Sequence, residues 1–206
     1  MGTLAHFNLA GIRALHHIKS FVETGTAGGD GVEQARLANF EEIHSVEIVP
    51  ELVAAARFRF AAYPSIQIWE GSSARCLPMI LRDLSPAPCL FWLDAHFPGA
   101  HHGADYSAEK DAGVRLPLED EIGMIRTARP DSRDVLLIDD ARIYQPGPYS
   151  AGDLPPDWPP VQNIGRGPKR LDFVRELYGS THGVVTDYAD QGYVMVFPHI
   201  MYKAAA

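Results

Sequence analysis

The sequence predicts an α/β fold: a three-layer, Rossmann-like, doubly wound and mainly parallel seven-stranded sheet, closed by a C-terminal antiparallel hairpin strand. Three observations predict it. Short β-branched and apolar runs alternate with helix-like segments along the chain. Two of the runs, Cys89-Leu90-Phe91-Trp92-Leu93 and Val135-Leu136-Leu137-Ile138, are continuously apolar, as strands buried on both faces require. The last two runs lie next to each other in sequence across Asp190-Gln191-Gly192, which reads as a tight hairpin connection.

In chain order, residues 4–19 carry Leu9, Ile12, Leu15 and Ile18 at helical spacing and predict a leading helix. A first strand over 20–24 runs into a glycine-rich loop, and a helix follows over 31–40. A second strand covers 44–49. Pro50 suits the first turn of the next helix, which runs to about residue 62. A strand at 66–70 leads to Gly71-Ser72-Ser73, a cap for a helix ending near Leu84. The central strand over 89–93 ends in Asp94. A loop precedes a helix over 116–128, and the strand over 134–138 ends in Asp139-Asp140. The stretch 146–168 is rich in Pro and Gly and reads as irregular. A helix over 169–178 and strands over 183–188 and 192–198 close the chain.

The 206 residues suffice for one domain, taken as residues 1–203, with Ala204-Ala205-Ala206 read as an appended scar. Hydrophobic residues make up 46% and charged residues 21%, as in ordinary globular proteins. Net charge is −8 with no long block of Lys or Arg, which argues against a nucleic-acid partner. No apolar run reaches bilayer length and no signal-peptide pattern opens the chain, so neither a membrane nor export is expected. Cys76 and Cys89 fit no metal spacing and no disulfide framework, and a cytoplasmic location is the expectation.

In open parallel sheets, ligands bind beyond the carboxyl ends of the strands. Five strand ends here carry notable groups: Glu23 through Gly31, Glu47, Glu70 through Ser73, Asp94 with His96, and Asp139-Asp140. Glycines at a strand-to-helix turn let backbone approach a ligand closely. Glu47, at the end of the second strand, can accept both hydroxyl hydrogens of a ribose. The loop fits G-x-G-x-x-G poorly, because Gln34 stands where the third glycine belongs, and this disfavours a nicotinamide or flavin cofactor.

Asp94, Asp139 and Asp140 offer hard oxygen donors on strand ends about 4.8 Å apart, suited to Mg²⁺ or a similar ion. Consecutive strand residues face opposite ways, so Asp139 and Asp140 can cooperate only if the chain is already turning. The alternative is that one of them caps a turn or pairs with Arg142. His96 is placed to act as a general base near neutral pH, or as a partner behind the site. His101 and His102 belong to a polar loop, and His16 and His17 to the leading helix. Ser72 and Ser73 read as a cap, since no G-x-S-x-G pattern surrounds them. Tyr106, Tyr144, Tyr149 and Trp158 lie in or beside the two loops that follow crevice strands, and either line an acceptor pocket or decorate the surface. Lys169 and Arg170 read as solvated.

The run Glu23-Thr24-Gly25-Thr26-Ala27-Gly28-Gly29-Asp30-Gly31, with Glu47, Leu93-Asp94-Ala95-His96 and Ile138-Asp139-Asp140, resembles class I S-adenosylmethionine-dependent methyltransferases. It is similar to the Mg²⁺-dependent sugar O-methyltransferases of macrolide and aminocoumarin biosynthesis, and to methyltransferase-like proteins carrying W-L-D-A-H and I-D-D motifs. The resemblance covers about residues 21–142. It implies a cofactor site of Glu23, Thr24, Gly25, Thr26, Gly28, Gly31, Glu47, Gly71, Ser72, Ser73 and Asp94. There the loop would wrap the methionine part, Glu47 would hold the ribose, and Gly71 to Ser73 would lie by the adenine. It implies metal-binding acids at Asp94, Asp139 and Asp140, and a base at Asp94, with His96 as the other proton acceptor. The sequence departs from the sugar enzymes where His96 stands near the place of another acid, and where an N-terminal substrate-covering region is short. The expected partner is a small hydroxylated acceptor, with a homodimer as the expected assembly. A cofactor-binding protein without catalysis and an NAD-dependent oxidoreductase are the alternatives.

Overall fold

Seven strands join into one sheet in the order β3-β2-β1-β4-β5-β7-β6. The computed structural model describes residues 3–96, 116–154 and 171–199. The strands are β1 (Ser20–Thr24), β2 (Glu42–Glu47), β3 (Ile66–Glu70), β4 (Cys89–Leu93), β5 (Val135–Ile138), β6 (His182–Asp187) and β7 (Tyr193–Pro198). All neighbouring pairs from β3 through β5 are parallel, and β7 runs antiparallel to both β5 and β6. The helices are α1 (Leu9–His16), α2 (Asp30–Leu37), α3 (Pro50–Arg59), α4 (Ser73–Asp83), α5 (Leu118–Ala128) and α6 (Asp172–Tyr178).

Alternation along each strand sorts the core into two layers. Val22, Val46, Phe91, Leu93, Leu136 and Ile138 pack against α4, α5 and α6. Phe21, Ile43, Leu90, Trp92, Val135 and Leu137 pack on the other face with residues of α1, α2 and α3. This is the three-layer doubly wound arrangement that the alternating pattern predicts. Among the described residues no helix is long and apolar enough to cross a membrane. Cys76 and Cys89 are buried free thiols.

Four elements differ from expectation, each for a local reason. The leading helix is broken in two. Thr3 accepts a hydrogen bond from the Ala5 amide and starts a 3-10 turn, then Asn8 accepts one from the Gly11 amide at 3.0 Å and caps α1. Two side chains that bond their own backbone thus interrupt the helical pattern. His17 ends α1 in the left-handed region at φ 54°. The second strand stops at Glu47 rather than Val49, because the Glu47 carboxylate turns back to accept from the Val49 amide at 2.9 Å. Ser72 occupies the N-cap of α4 but makes no side-chain cap bond. The β6–β7 connection takes residues 188–192, wider than the expected Asp190-Gln191-Gly192 turn, with Asp190 at φ 50° and Gly192 at φ 86°.

Arg129 and Asp134 pin the amino end of the sheet, far from the glycine loop. The buried guanidinium meets the carboxylate at 2.8 and 2.9 Å, and the Cys89 amide donates to the same carboxylate at 2.8 Å. Both charges are paired and hydrogen-bonded, which is what makes their burial tolerable.

Candidate active site

Parallel strands carry their terminal residues to one edge, and the site is built there from backbone first. After Thr24 the chain turns through Gly25 at φ +91°, and a Cβ at Gly25 would come 2.7 Å from the Asp94 carbonyl oxygen. The amides of Gly25 and Thr26 both donate to the Val46 carbonyl, at 2.9 and 3.1 Å. The loop is thereby clamped between the ends of β2 and β4. Gly31 has no space for a side chain, since a Cβ there would overlap the Glu23 carboxylate. Gly28 is different: it is exposed, with nothing among the described residues near the place of a Cβ.

Glu23 lies buried beneath this loop. The Ser45 hydroxyl donates to it at 2.5 Å, and Ser45 is also paired with the Thr26 hydroxyl at 2.5 Å. Burial, reinforced by the charges of Glu47 and Asp30 and only partly offset by Ser45, pushes Glu23 up to about 8. Glu47 ties three segments together. Its carboxylate accepts from the Ala27 amide at 2.8 Å and the Val49 amide at 2.9 Å, and its carbonyl accepts from the Gly71 amide at 2.8 Å. A carboxylate has about four acceptor positions, so capacity remains for ligand hydroxyls.

The second group forms on the ends of β4 and β5. β5 ends at Ile138, the Asp139 amide donates to the Leu93 carbonyl at 3.1 Å, and Asp140 turns the chain at φ 53°. The strand has therefore ended, which is the condition for both acids to serve one site. Ligand-type atoms of Asp94, His96 and Asp139 lie within 4.8 Å of one another. His96 Nδ1 faces Asp94 Oδ1 at 3.5 Å, while its Nε2 faces Asp140 Oδ2 at 3.2 Å. Asp140 also pairs with Arg142 Nε at 3.0 Å. The carboxylate that sequence grouped with the metal acids is thus engaged by His96 and Arg142, and His96 takes its place in the close trio. Asp139 is 2% exposed, and its Oδ1 has no hydrogen-bond partner among the described residues.

The electrostatics follow from crowding acids into a buried edge. Burial raises Asp94 well above the usual carboxylate range, with His96 opposing and Asp139, Glu23 and Asp140 adding to it. Asp139 is raised for the same leading reason. Burial pulls His96 down, but the hydrogen bond to Asp140 and the charges of Asp94, Asp140 and Asp139 outweigh it and push His96 up to about 9. The acids around His96 thus favour the protonated form of its ring.

One participant escaped the sequence reading. Glu121, in the first turn of α5, is 1% exposed and has Oε1 without a partner among the described residues. It lies with the hydroxyls of Thr24 and Ser73 beside it; burial pushes it up to about 7, against the effect of those hydroxyls and of His96. Its acidic neighbours Glu119 and Asp120 disguise it as a solvated helix start. The available signal was periodicity: Leu118, Glu121, Ile122 and Ile125 share one helical face, and all four are buried.

Every expected site residue from Glu23 to Ser73, with Asp94, His96, Asp139 and Asp140, sits at or just past the carboxyl end of a parallel strand. Tyr144 and Tyr149 are each 5% exposed, so neither decorates the surface. Tyr106, Trp158, His101, His102, Lys169 and Arg170 lie outside the described residues.

No family model and no curated protein matches this chain. Solved structures do. The SAH-bound methyltransferase PaMTH1 of Podospora anserina is 17% identical, with a TM-score of 0.62 over 93% of this chain and 76% of that one. TomG of Streptomyces achromogenes, an O-methyltransferase involved in tomaymycin synthesis and solved with SAM, is 17% identical, with a TM-score of 0.58 over 92% of this chain and 77% of that one. An O-methyltransferase of Bacillus cereus in complex with SAH is 13% identical, with a TM-score of 0.53 over 93% and 79%. The chain shares the Rossmann-like fold of these structures. At these identities the likeness is one of architecture.

Proposed function

We propose that the protein is an S-adenosylmethionine-dependent O-methyltransferase acting on a small hydroxylated acceptor of sugar-like chemistry, with a divalent ion assisting. The observation that carries this reading is the meeting at one sheet edge of a glycine loop clamped by Glu47 with the trio Asp94, His96 and Asp139. The fold shared with SAM- and SAH-bound enzymes supports it.

The cofactor's sulfonium supplies an activated methyl group, so the protein's work is placement and proton removal. The loop from Gly25 to Gly31 would carry the methionine portion, Glu47 the ribose, and Gly71 to Ser73 the adenine side. Asp94 joins the two halves: its carbonyl packs against Gly25 while its carboxylate belongs to the trio. The donor set fits a divalent ion, because Asp139 keeps a buried oxygen without a partner among the described residues, beside two further ligand-type side chains. Such an ion supplies positive charge that lowers the pKa of an acceptor hydroxyl. Asp94 or His96 takes the hydroxyl proton.

The test is transfer of labelled methyl from S-adenosylmethionine to a panel of hydroxylated compounds including sugars, with and without EDTA. Asp139→Ala is expected to lower turnover by about 100-fold or more, the scale of several kcal/mol of charge stabilisation, while cofactor affinity changes little. Turnover that is indifferent to EDTA and to Asp139→Ala would give the acids another job.

A further inference from the structure

We propose that His96 is a metal ligand through Nδ1, that Asp140 is its outer hydrogen-bond partner and not a ligand, and that the site prefers a first-row transition ion to Mg²⁺. The inference deepens the methyltransferase reading and rests on it only for what the ion does.

The two ring nitrogens of His96 face different partners. Nδ1 lies 3.5 Å from Asp94 Oδ1, a member of the trio, and Nε2 lies 3.2 Å from Asp140 Oδ2. A ligating histidine almost always gives its other ring N–H to a carboxylate or carbonyl, which fixes the ring and its tautomer. Asp140 is held for that task, since Arg142 Nε donates to its Oδ1 at 3.0 Å while Oδ2 meets the imidazole. The chain Arg142–Asp140–His96 therefore ends on a nitrogen 3.5 Å from Asp94 Oδ1.

The spacing suits such a centre. Metal–nitrogen and metal–oxygen bonds of about 2.1 Å at tetrahedral angles separate neighbouring ligand atoms by about 3.4 Å. The His96–Asp94 separation is 3.5 Å, and the full trio lies within 4.8 Å. An independent observation concerns a member of the same trio: Asp139, 2% exposed, leaves Oδ1 without a hydrogen-bond partner among the described residues. A buried carboxylate oxygen without a donor is costly unless something positive completes it.

The ligand types then select the ion. Three carboxylates would favour Mg²⁺, which demands oxygen and an octahedral shell rich in water. One imidazole nitrogen with two carboxylate oxygens favours Mn²⁺, Fe²⁺, Co²⁺ or Zn²⁺. The same assignment takes His96 out of the proton-acceptor role and leaves that role to Asp94.

The test uses the full chain stripped with EDTA and titrated calorimetrically with Mg²⁺, Mn²⁺, Co²⁺ and Zn²⁺, with the visible absorption of the Co²⁺ form recorded. S-adenosylhomocysteine affinity is measured alongside as a check on folding. Co²⁺ and Zn²⁺ are expected to bind about 100-fold or more tightly than Mg²⁺. His96→Asn is expected to remove that preference and shift the Co²⁺ bands while Mg²⁺ affinity stays within a few-fold. Asp140→Asn is expected to weaken Co²⁺ about 10- to 100-fold with the band positions kept, as for an outer partner. Equal affinity for Mg²⁺ and Co²⁺, or Co²⁺ bands unmoved by His96→Asn, would overturn the proposal. Cofactor affinity without ion preference rejects the ligand assignment alone, whereas ion preference without cofactor affinity rejects the methyltransferase reading alone.

Discussion

Gly31 leaves open the space that the Glu23 carboxylate fills, and a Cβ on that glycine would overlap Glu23 Oε1. The first turn of α2 thus sits directly on a buried acid. Glu23 is in turn fixed by Ser45 from the neighbouring strand.

Gly31→Ala is therefore expected to cost about 1–3 kcal/mol, the usual cost of overpacking a filled site. Gly28→Ala, three residues earlier in an open position, is expected to stay within about 0.5 kcal/mol of the parent. Denaturant midpoints measured on both variants check the contrast. Equal losses would mean that the loop is limited by backbone freedom and not by the acid beneath it.

Glu47→Gln puts an amide group where two backbone N–H groups now find a carboxylate. One of the two donors is left unpaired, at a cost of about 1–3 kcal/mol. Thermal melts should fall accordingly, and S-adenosylmethionine affinity should drop by about tenfold or more as the loop loosens and a charged acceptor for the ribose is lost. Unchanged affinity with lowered stability would restrict Glu47 to holding the loop.

Glu23 also predicts a pH dependence with a definite sign. Its folded pKa of about 8 lies above the ordinary 4.5, so the folded state holds the proton more tightly than the unfolded chain does. That contribution is complete below about 4.5 and is lost as pH rises toward 8. Glu23→Gln cannot ionise, so its stability relative to the parent should improve across that window. Chemical denaturation of both proteins at several pH values measures the difference directly. Parallel curves would show that Glu23 is not the titrating group.

How much of this was legible in the sequence depends on whether the signal was local. Strand ends were readable, because a parallel sheet turns an apolar run ending in an acid into a rim position, as at Glu23, Glu47 and Asp94. The trio was partly readable: Asp94 and Asp139 were expected together, but the exchange of His96 for Asp140 depends on the left-handed turn at Asp140 and on a hydrogen bond between two strand ends. Neither leaves a mark in spacing. Glu121 was hidden by composition, since three successive acids at a helix start read as partners of the dipole although the third is buried. The break in the leading helix follows from the capping chemistry of Thr3 and Asn8, which overrides the hydrophobic periodicity of that segment.

The most direct test of the central claim is calorimetric titration of the protein with S-adenosylmethionine, S-adenosylhomocysteine and NAD. One-to-one binding of the first two, weakened by Glu47→Gln, is expected, with none of NAD. Binding of NAD in preference to either adenosyl compound would contradict it.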